Sequence, residues 1–179
     1  MIACNKIDVP YAEEHFVRLQ KQFPQHKLIP CSAEAEIALR EAAKHELIRY
    51  IPGEDHFEIV QEKKLTLQQK NALTFIEESV LKKQSNTGVQ QVLDYAVLTL
   101  LKYKAIFPGG VNKLTDSDGN VLPDCFLLPE KATALDFAYH LHTDFGKNFI
   151  KAINVKTKMP IGRDHVLQHR DVIEIMSKK

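Results

Sequence analysis

Hydrophobic positions change their spacing several times along this chain, and each change marks an element. The run Ile2–Ala3–Cys4 has the length of a buried strand end. After Pro10, Phe16, Leu19 and Phe23 recur at helical spacing with charges between them, which predicts a helix over Tyr11–Phe23 that Pro24 ends. A second short apolar run lies in KLIPCSA. Strand, crossover helix and strand within about 30 residues make a βαβ unit, so the two strands are expected to be parallel.

Residues 36–50 carry a moderate apolar face of Ile37, Ala38, Ala42, Leu47 and Ile48, which predicts a helix that Pro52–Gly53 breaks. Thr66 and Gln69 have the spacing of a capping box, heading a helix whose stripe is Leu73, Ile76, Val80 and Leu81. QSNTG is a loop, and Thr87 with Gln90 offers another box. The helix it opens, to about Tyr103, carries Val89, Val92, Leu93, Ala96, Val97, Leu100 and Leu101 on one side and is expected to be well buried.

Short strands and turns take over at IFPGG, with FLLP, FIKAINV and VIEIM as strand-like runs. One helix interrupts them, from Thr133 to about His142, with Asp136 completing a box at its start. A domain boundary is placed near residue 105.

Composition narrows the class. The chain has 179 residues, 44% hydrophobic and 26% charged, as in a globular protein with a sizeable core. No apolar run reaches the roughly 18 residues that span a bilayer. The N-terminus lacks the basic-then-apolar pattern of a secretory signal, so the cytoplasm is the expected compartment and no membrane partner is expected. Cys4, Cys31 and Cys125 are too scattered for a disulfide framework and are expected as buried or semi-buried free thiols. The eight histidines lack partners at metal-ligand spacing, so no metal site is expected, and no cysteine has a histidine beside it to make a nucleophile. Net charge is only +1, but residues 144–179 gather Lys147, Lys151, Lys156, Lys158, Arg163 and Arg170 with the two terminal lysines, against four acidic groups.

Asn5–Lys6–Ile7–Asp8 carries the most specific chemistry. It matches NKxD, in which the aspartate accepts two hydrogen bonds from the N1–H and exocyclic amine of guanine, a pairing adenine does not offer. Asp8 would read the base, Lys6 would lay its stem along the base plane, and Asn5 would tie neighbouring loops together. Ser32–Ala33, one crossover later, resembles the fifth guanine motif, where the alanine N–H faces the guanine O6. Both motifs end parallel strands, the usual place for ligands in such sheets. No GxxxxGK[ST] occurs, so nothing here cradles a phosphate or binds magnesium. Asp116–Gly119 has the DxxG spacing of a magnesium-linked motif but follows NKxD rather than preceding it, and it does not fit a calcium loop, so a polar turn is the better reading.

The order NKxD, SAE, helical stretch, then FLLPEKATALDFAYHLHTDFGKNFIKAINV and its sequel, resembles the C-terminal part of an Obg/YchF-type GTPase of the archaeal branch, ending in a TGS domain. The resemblance implies an α/β plus α+β fold. Residues 1–104 would be part of a P-loop GTPase domain with a helical insertion at about 36–86, and 105–179 a β-grasp, ubiquitin-like TGS domain. It also implies GTP or GDP as ligand, with Mg2+ held only by a phosphate-binding part. That part would lie upstream of Met1 and leave the Cys4 strand at a sheet edge. No catalytic residue is expected in this chain. The full protein would be a GTPase linked to ribosomes or translation; the alternative is a non-catalytic TGS module binding RNA or the ribosome through the six basic residues named above.

Overall fold

The computed structural model describes residues 1–110 and 124–178, and the chain divides into two compact units, Met1–Ala96 and Val97–Lys179. Asp116–Gly119 lies outside the described residues.

The first unit opens as the βαβ pattern requires. Strand β1 (Ile2–Cys4) pairs in parallel with β2 (Leu28–Pro30), and helix α1 (Ala12–Gln22) makes the crossover. Helix α2 (Ala33–Lys44) begins three residues earlier than the apolar spacing predicts, because the Ser32 hydroxyl accepts the Ala35 N–H at 3.2 Å and caps it. It also ends earlier. Glu46 turns left-handed (φ +58°), with Glu46 N–H donating to the Ala43 carbonyl at 2.9 Å and Leu47 N–H to that of Ala42 at 3.0 Å. Ile48–Arg49, expected as helix, is therefore strand β3, antiparallel to β4 (Glu58–Ile59). The shift changes which side of α2 is inside: Leu39 and Ala35 are buried, whereas Ile37 is 62% exposed.

Helix α3 (Leu67–Ile76) has the Thr66–Gln69 capping box intact. It runs through one wider turn, Glu77–Leu81, into the short α4 (Lys82–Gln84). Its stripe of Leu73, Ile76, Val80 and Leu81 is buried, forming one core with Leu39, Ile48, Tyr50 and Leu65. The second expected box does not form. Gly88 caps α5 (Val89–Asp94) in a left-handed conformation, and the Thr87 hydroxyl donates elsewhere. A wider turn, Tyr95–Leu100, continues α5. The apolar stripe of this stretch is not well buried: Val89, Val92, Ala96 and Val97 are half-buried, and Leu93, Leu100 and Leu101 are exposed. Helical periodicity specifies an apolar face but not a partner for it, and β1 and β2, at three residues each, are short.

The second unit is a five-stranded mixed sheet. Its strands are β5 (Lys104–Pro108), β6 (Phe126–Leu128), β7 (Phe149–Asn154), β8 (Met159–Ile161) and β9 (Val172–Ser177). The order is β6-β5-β9-β7-β8, with only the β5–β9 pair parallel. First and last strands side by side in parallel, with a helix between, make the β-grasp arrangement. Helix α6 (Ala134–Leu141) carries the expected Thr133–Asp136 box, and an unanticipated α7 (Thr143–Lys147) follows it. Phe137 is wholly buried among Ile106, Leu128, Ala152, Leu167 and Ile173 and meets the Phe126 ring edge-on at 5.7 Å.

Truncating that ring leaves a cavity the two surrounding layers cannot close. Phe137→Ala should lower stability by about 3–5 kcal/mol. Urea denaturation followed through the amide signals of β7 and β9 measures it, and Phe137→Leu should recover most of the loss.

Candidate functional site

Because β1 and β2 are parallel, the turns that leave them emerge at the same end of the sheet. Asn5–Asp8 leaves the first strand and Cys31–Ala33 the second. Backbone bonds lace the two turns together: Cys31 N–H donates to the Cys4 carbonyl at 3.0 Å, and Ile7 N–H to that of Cys31 at 3.1 Å. The Asn5 side chain completes the lacing. Its Oδ1 accepts the Lys6 N–H at 2.8 Å and the Ala33 N–H at 3.0 Å, so it links the two loops. Lys6 takes a left-handed conformation (φ +68°) to turn the chain between Asn5 and Asp8.

All five sequence-derived residues of this site thus stand in one loop cluster, but they do not all face one space. Asp8, half-buried, lines a cleft of about 360 Å³ with Ser32, Glu34, Ala35, Ala38, Ala72, Phe75 and Ile76. Asn5 and Lys6 line a separate hollow of about 460 Å³ over β1 and α1. The Ser32 hydroxyl is buried and committed to capping α2. The Ala33 N–H, read from sequence as facing a base carbonyl, is donated here to Asn5.

Behind these turns lies a buried group that periodicity does not reveal. Glu36, 3% exposed on the first turn of α2, accepts from Thr87 Oγ1 at 2.6 Å, Tyr50 Oη at 2.8 Å and Arg40 Nε at 2.6 Å. Burial pushes its carboxyl pKa up, but the bonds from Thr87, Arg40 and Tyr50 outweigh burial and hold it below its ordinary value. Burial, with the bond to Glu36, pushes the Tyr50 hydroxyl up to about 12.

Thr87 closes a ring with this helix start. Ser32 N–H donates to the Thr87 carbonyl at 2.8 Å, the Thr87 hydroxyl donates to Glu36, and Glu36 N–H donates back to the Ser32 carbonyl at 3.2 Å. The approach requires glycine next door. Gly88 sits at φ +78°, and a Cβ there would lie 2.0 Å from the Pro30 carbonyl oxygen and 2.8 Å from the Cys31 Cα. Asn86 accepts the Gly88 N–H at 2.7 Å and is itself buried. The Asn-Thr-Gly run was the available signal, although a loop reading alone gives it no contact.

The remaining sequence candidates are dispersed. Lys147 ends α7, Lys151 lies on β7, Lys156 and Lys158 occupy the β7–β8 turn, Arg163 follows β8 and Arg170 precedes β9; all are exposed. Lys156 Nζ donates to the Arg170 carbonyl at 2.6 Å, which brings those two turns together. Among the described residues no group of His, Cys, Asp and Glu could hold a metal ion. Cys31 is buried and Cys4 half-buried, with burial pushing both thiols up, but Cys125 is exposed, contrary to the sequence expectation, since it stands just ahead of β6 rather than inside it.

The Glu36 ring should be measurable in stability. Thr87→Val and Glu36→Gln should each cost about 1–3 kcal/mol, because a buried polar group loses its partner. The folded carboxyl sits below its ordinary value of 4.5, so its contribution is present above that pH and lost as pH falls through the folded value. The gap between the unmodified chain and Glu36→Gln should accordingly be widest near neutrality and narrow as pH falls below 4.5 in denaturant titrations.

Residues 3–110 match the family model described as Obg-like GTPase YGR210-like, G4 motif-containing domain, and residues 113–177 match the TGS domain. An uncharacterized GTP-binding protein of Methanocaldococcus jannaschii is 43% identical over 178 residues, covering 99% of this chain and 44% of that protein. A second uncharacterized GTP-binding protein, from Schizosaccharomyces pombe, is 29% identical over 142 residues, 75% of this chain and 34% of its own length. The crystal structure of a GTP binding protein from Pyrococcus horikoshii superposes with a TM-score of 0.70 at 37% identity, over 99% of this chain and 45% of that one. The Schizosaccharomyces pombe YchF GTPase shares the fold, with a TM-score of 0.50 at 14% identity over 93% of this chain and 38% of that one. The chain spans less than half the length of these relatives. With the family model covering more than half of its residues, the chain belongs to the Obg-like GTPases of the YGR210-like type, carrying their G4-motif domain followed by a TGS domain.

Proposed function

We propose that the first unit reads the base of a guanine nucleotide. The observation that carries this is the lacing of Asn5 to Ala33, which sets the NKxD turn and the Ser32–Ala33 turn side by side, with Asp8 at the mouth of a cleft. Asp8 accepts from the guanine N1–H and exocyclic amine. The Ala33 N–H turns from Asn5 to the guanine O6, and Asn5 Oδ1 keeps the Lys6 N–H when it does, so the exchange leaves no buried acceptor empty. Lys6 lines the hollow over β1 and α1, so its aliphatic stem would have to swing toward the Asp8 cleft to cover the base plane. Ser32 acts through the cap that fixes the first turn of α2.

The bound species is GTP or GDP, in a full-length protein that hydrolyses GTP in the cytoplasm. Residues 1–104 belong to its nucleotide-binding domain, 36–86 are an insertion in it, and 105–179 are the TGS domain. Phosphates and Mg2+ are gripped by a part of the site that this chain's sequence does not supply, since it has no GxxxxGK[ST]. The support is the pair of motifs and relatives bearing the name GTP-binding protein.

This chain alone should therefore turn over no GTP and bind guanine nucleotides weakly but selectively. Amide-shift titrations with GMP and AMP test it: GMP should perturb Asp8 and Ala33 and bind at least about tenfold more tightly, with Asp8→Ala erasing the preference. Micromolar affinity, or equal binding of both nucleotides, refutes the reading.

A contact with RNA or the ribosome through the second unit is favoured by one observation, the Lys156–Arg170 bond, which sets Lys156 and Arg170 together. With Lys147, Lys151, Lys158 and Arg163 they would meet phosphates. Binding to a structured RNA should weaken with salt, and Lys156→Glu with Lys158→Glu should lower the slope of log affinity against log salt by about 1–2. A slope that these changes leave unaltered assigns the basic residues to an ordinary solvated surface.

A further inference from the structure

The cleft that holds Asp8 has an apolar wall that neither guanine motif supplies. Helix α3 sends Leu73 and Ile76 into the core, each 5% exposed, yet Phe75 between them is 51% exposed. Phe75 lines the same cleft as Asp8, across from the first turns of α2. Among the described residues it stacks on no other aromatic ring. On the same two helices the cleft is also lined by Glu34, Ala35, Ala38, Ala72 and Ile76, and the short side chains of the three alanines leave room for a flat group beside the phenyl ring.

A carboxylate fixes only the edge of a base. The faces of that base must be removed from water by something flat and apolar, and an aromatic ring does this for any base because every base has a π-face. Lys6, the motif residue read as covering the base plane, lines the other hollow, so on the Asp8 side the aromatic surface within reach is Phe75. The volume, about 360 Å³, is within the range of small-ligand clefts.

We propose that Phe75 is a base-stacking residue, so that the nucleobase site is built jointly by the NKxD turn and by the helical segment that follows the Ser32–Ala33 turn. The inference rests on the base-reading role of Asp8 and adds a division of labour to it. Asp8 sets which base binds, whereas Phe75 raises affinity for any base that enters. The two residues must then fail in different ways when changed.

The test is a nucleoside titration of the 179-residue chain by NMR, with guanosine and inosine as probes. Inosine keeps N1–H and O6 but lacks the exocyclic amine that Asp8 would accept. Phe75→Ala should weaken both nucleosides by the same factor, about tenfold, and leave their ratio unchanged. Phe75→Tyr should bind as the unmodified chain does, and Asp8→Asn should collapse the ratio toward one. The guanosine H8 signal should move upfield and show a nuclear Overhauser effect to the Phe75 ring. Because the sequence contains no tryptophan, Phe75→Trp supplies a single indole whose fluorescence guanosine should quench. Unchanged affinity in Phe75→Ala, alongside a lost preference in Asp8→Asn, overturns the stacking role alone. Equal binding of guanosine and inosine by the unmodified chain overturns the base reading, and the stacking role with it. As Phe75 is half in solvent, its variants should keep the amide spectrum of the parent fold.

Discussion

Glu36 gives up its water at the first turn of α2, and every donor that replaces it comes from a side chain that must itself be held in place. Arg40 comes from the next turn of the same helix, Tyr50 from the segment after β3, and Thr87 from the loop before α5. An ionised carboxylate this deep is tolerated only when such donors are present, because unpaired burial costs several kcal/mol. The polar cluster therefore constrains the fold in a way that the surrounding leucines cannot. Apolar contacts allow small slides, whereas a three-donor carboxylate fixes where residues 36, 50 and 87 stand relative to one another. Since Thr87 also accepts the Ser32 N–H, the constraint reaches the Ser32–Ala33 turn and, through Ala33, Asn5.

That chain of dependence explains what the sequence made legible and what it hid. Local rules survived where the competing partners were local. The Thr66–Gln69 and Thr133–Asp136 boxes form as spaced, and the stripe Leu73, Ile76, Val80, Leu81 is buried as its period requires. Thr87 and Gln90 have the same box spacing, but a buried carboxylate 51 residues away takes the Thr87 hydroxyl. No local rule anticipates that competitor. Likewise the end of α2 depends on Glu46 turning left-handed, a conformation with no glycine or asparagine to announce it. Of the candidate site, the two motifs were legible because they are contiguous. Thr87 and Phe75 were not, because they approach the motifs only after the intervening helices fold, and Glu36, although it directly follows the second motif, was not, because its partners Tyr50 and Thr87 are distant in sequence.

The second unit holds a buried carboxylate whose partners lie nearer to it. Asp171 is buried, yet its two oxygens are satisfied by Asn154 Nδ2 at 3.1 Å and the Gln168 N–H at 2.8 Å, both close by in the sheet or in sequence. The side-chain Oδ1 of Asn154 in turn accepts the N–H groups of Lys156 and Thr157, shaping the β7–β8 turn. These short-range bonds fix the turn ends of β7 and β9 beside each other. The parallel β5–β9 pair needs the longest loop closure of the unit, and β9 alternates half-buried with buried residues along its first part, as a strand flanked on both sides should.

Selectivity and grip are separable quantities in a site of the kind proposed for the first unit. Hydrogen bonds to a base edge discriminate steeply, because the wrong base leaves a buried acceptor unpaired, but they add little net affinity beyond what water already gave. Stacking adds affinity and discriminates little. Phosphate contacts, with their charge, contribute the largest share of grip in nucleotide sites and are indifferent to the base. A chain that holds Asp8, Ala33 and Phe75 without a phosphate cradle should therefore show a large ratio between bases at a low absolute affinity. That combination separates a base-reading cleft from an adventitious apolar groove, which would retain nucleosides in proportion to their apolar surface and rank adenosine at or above guanosine.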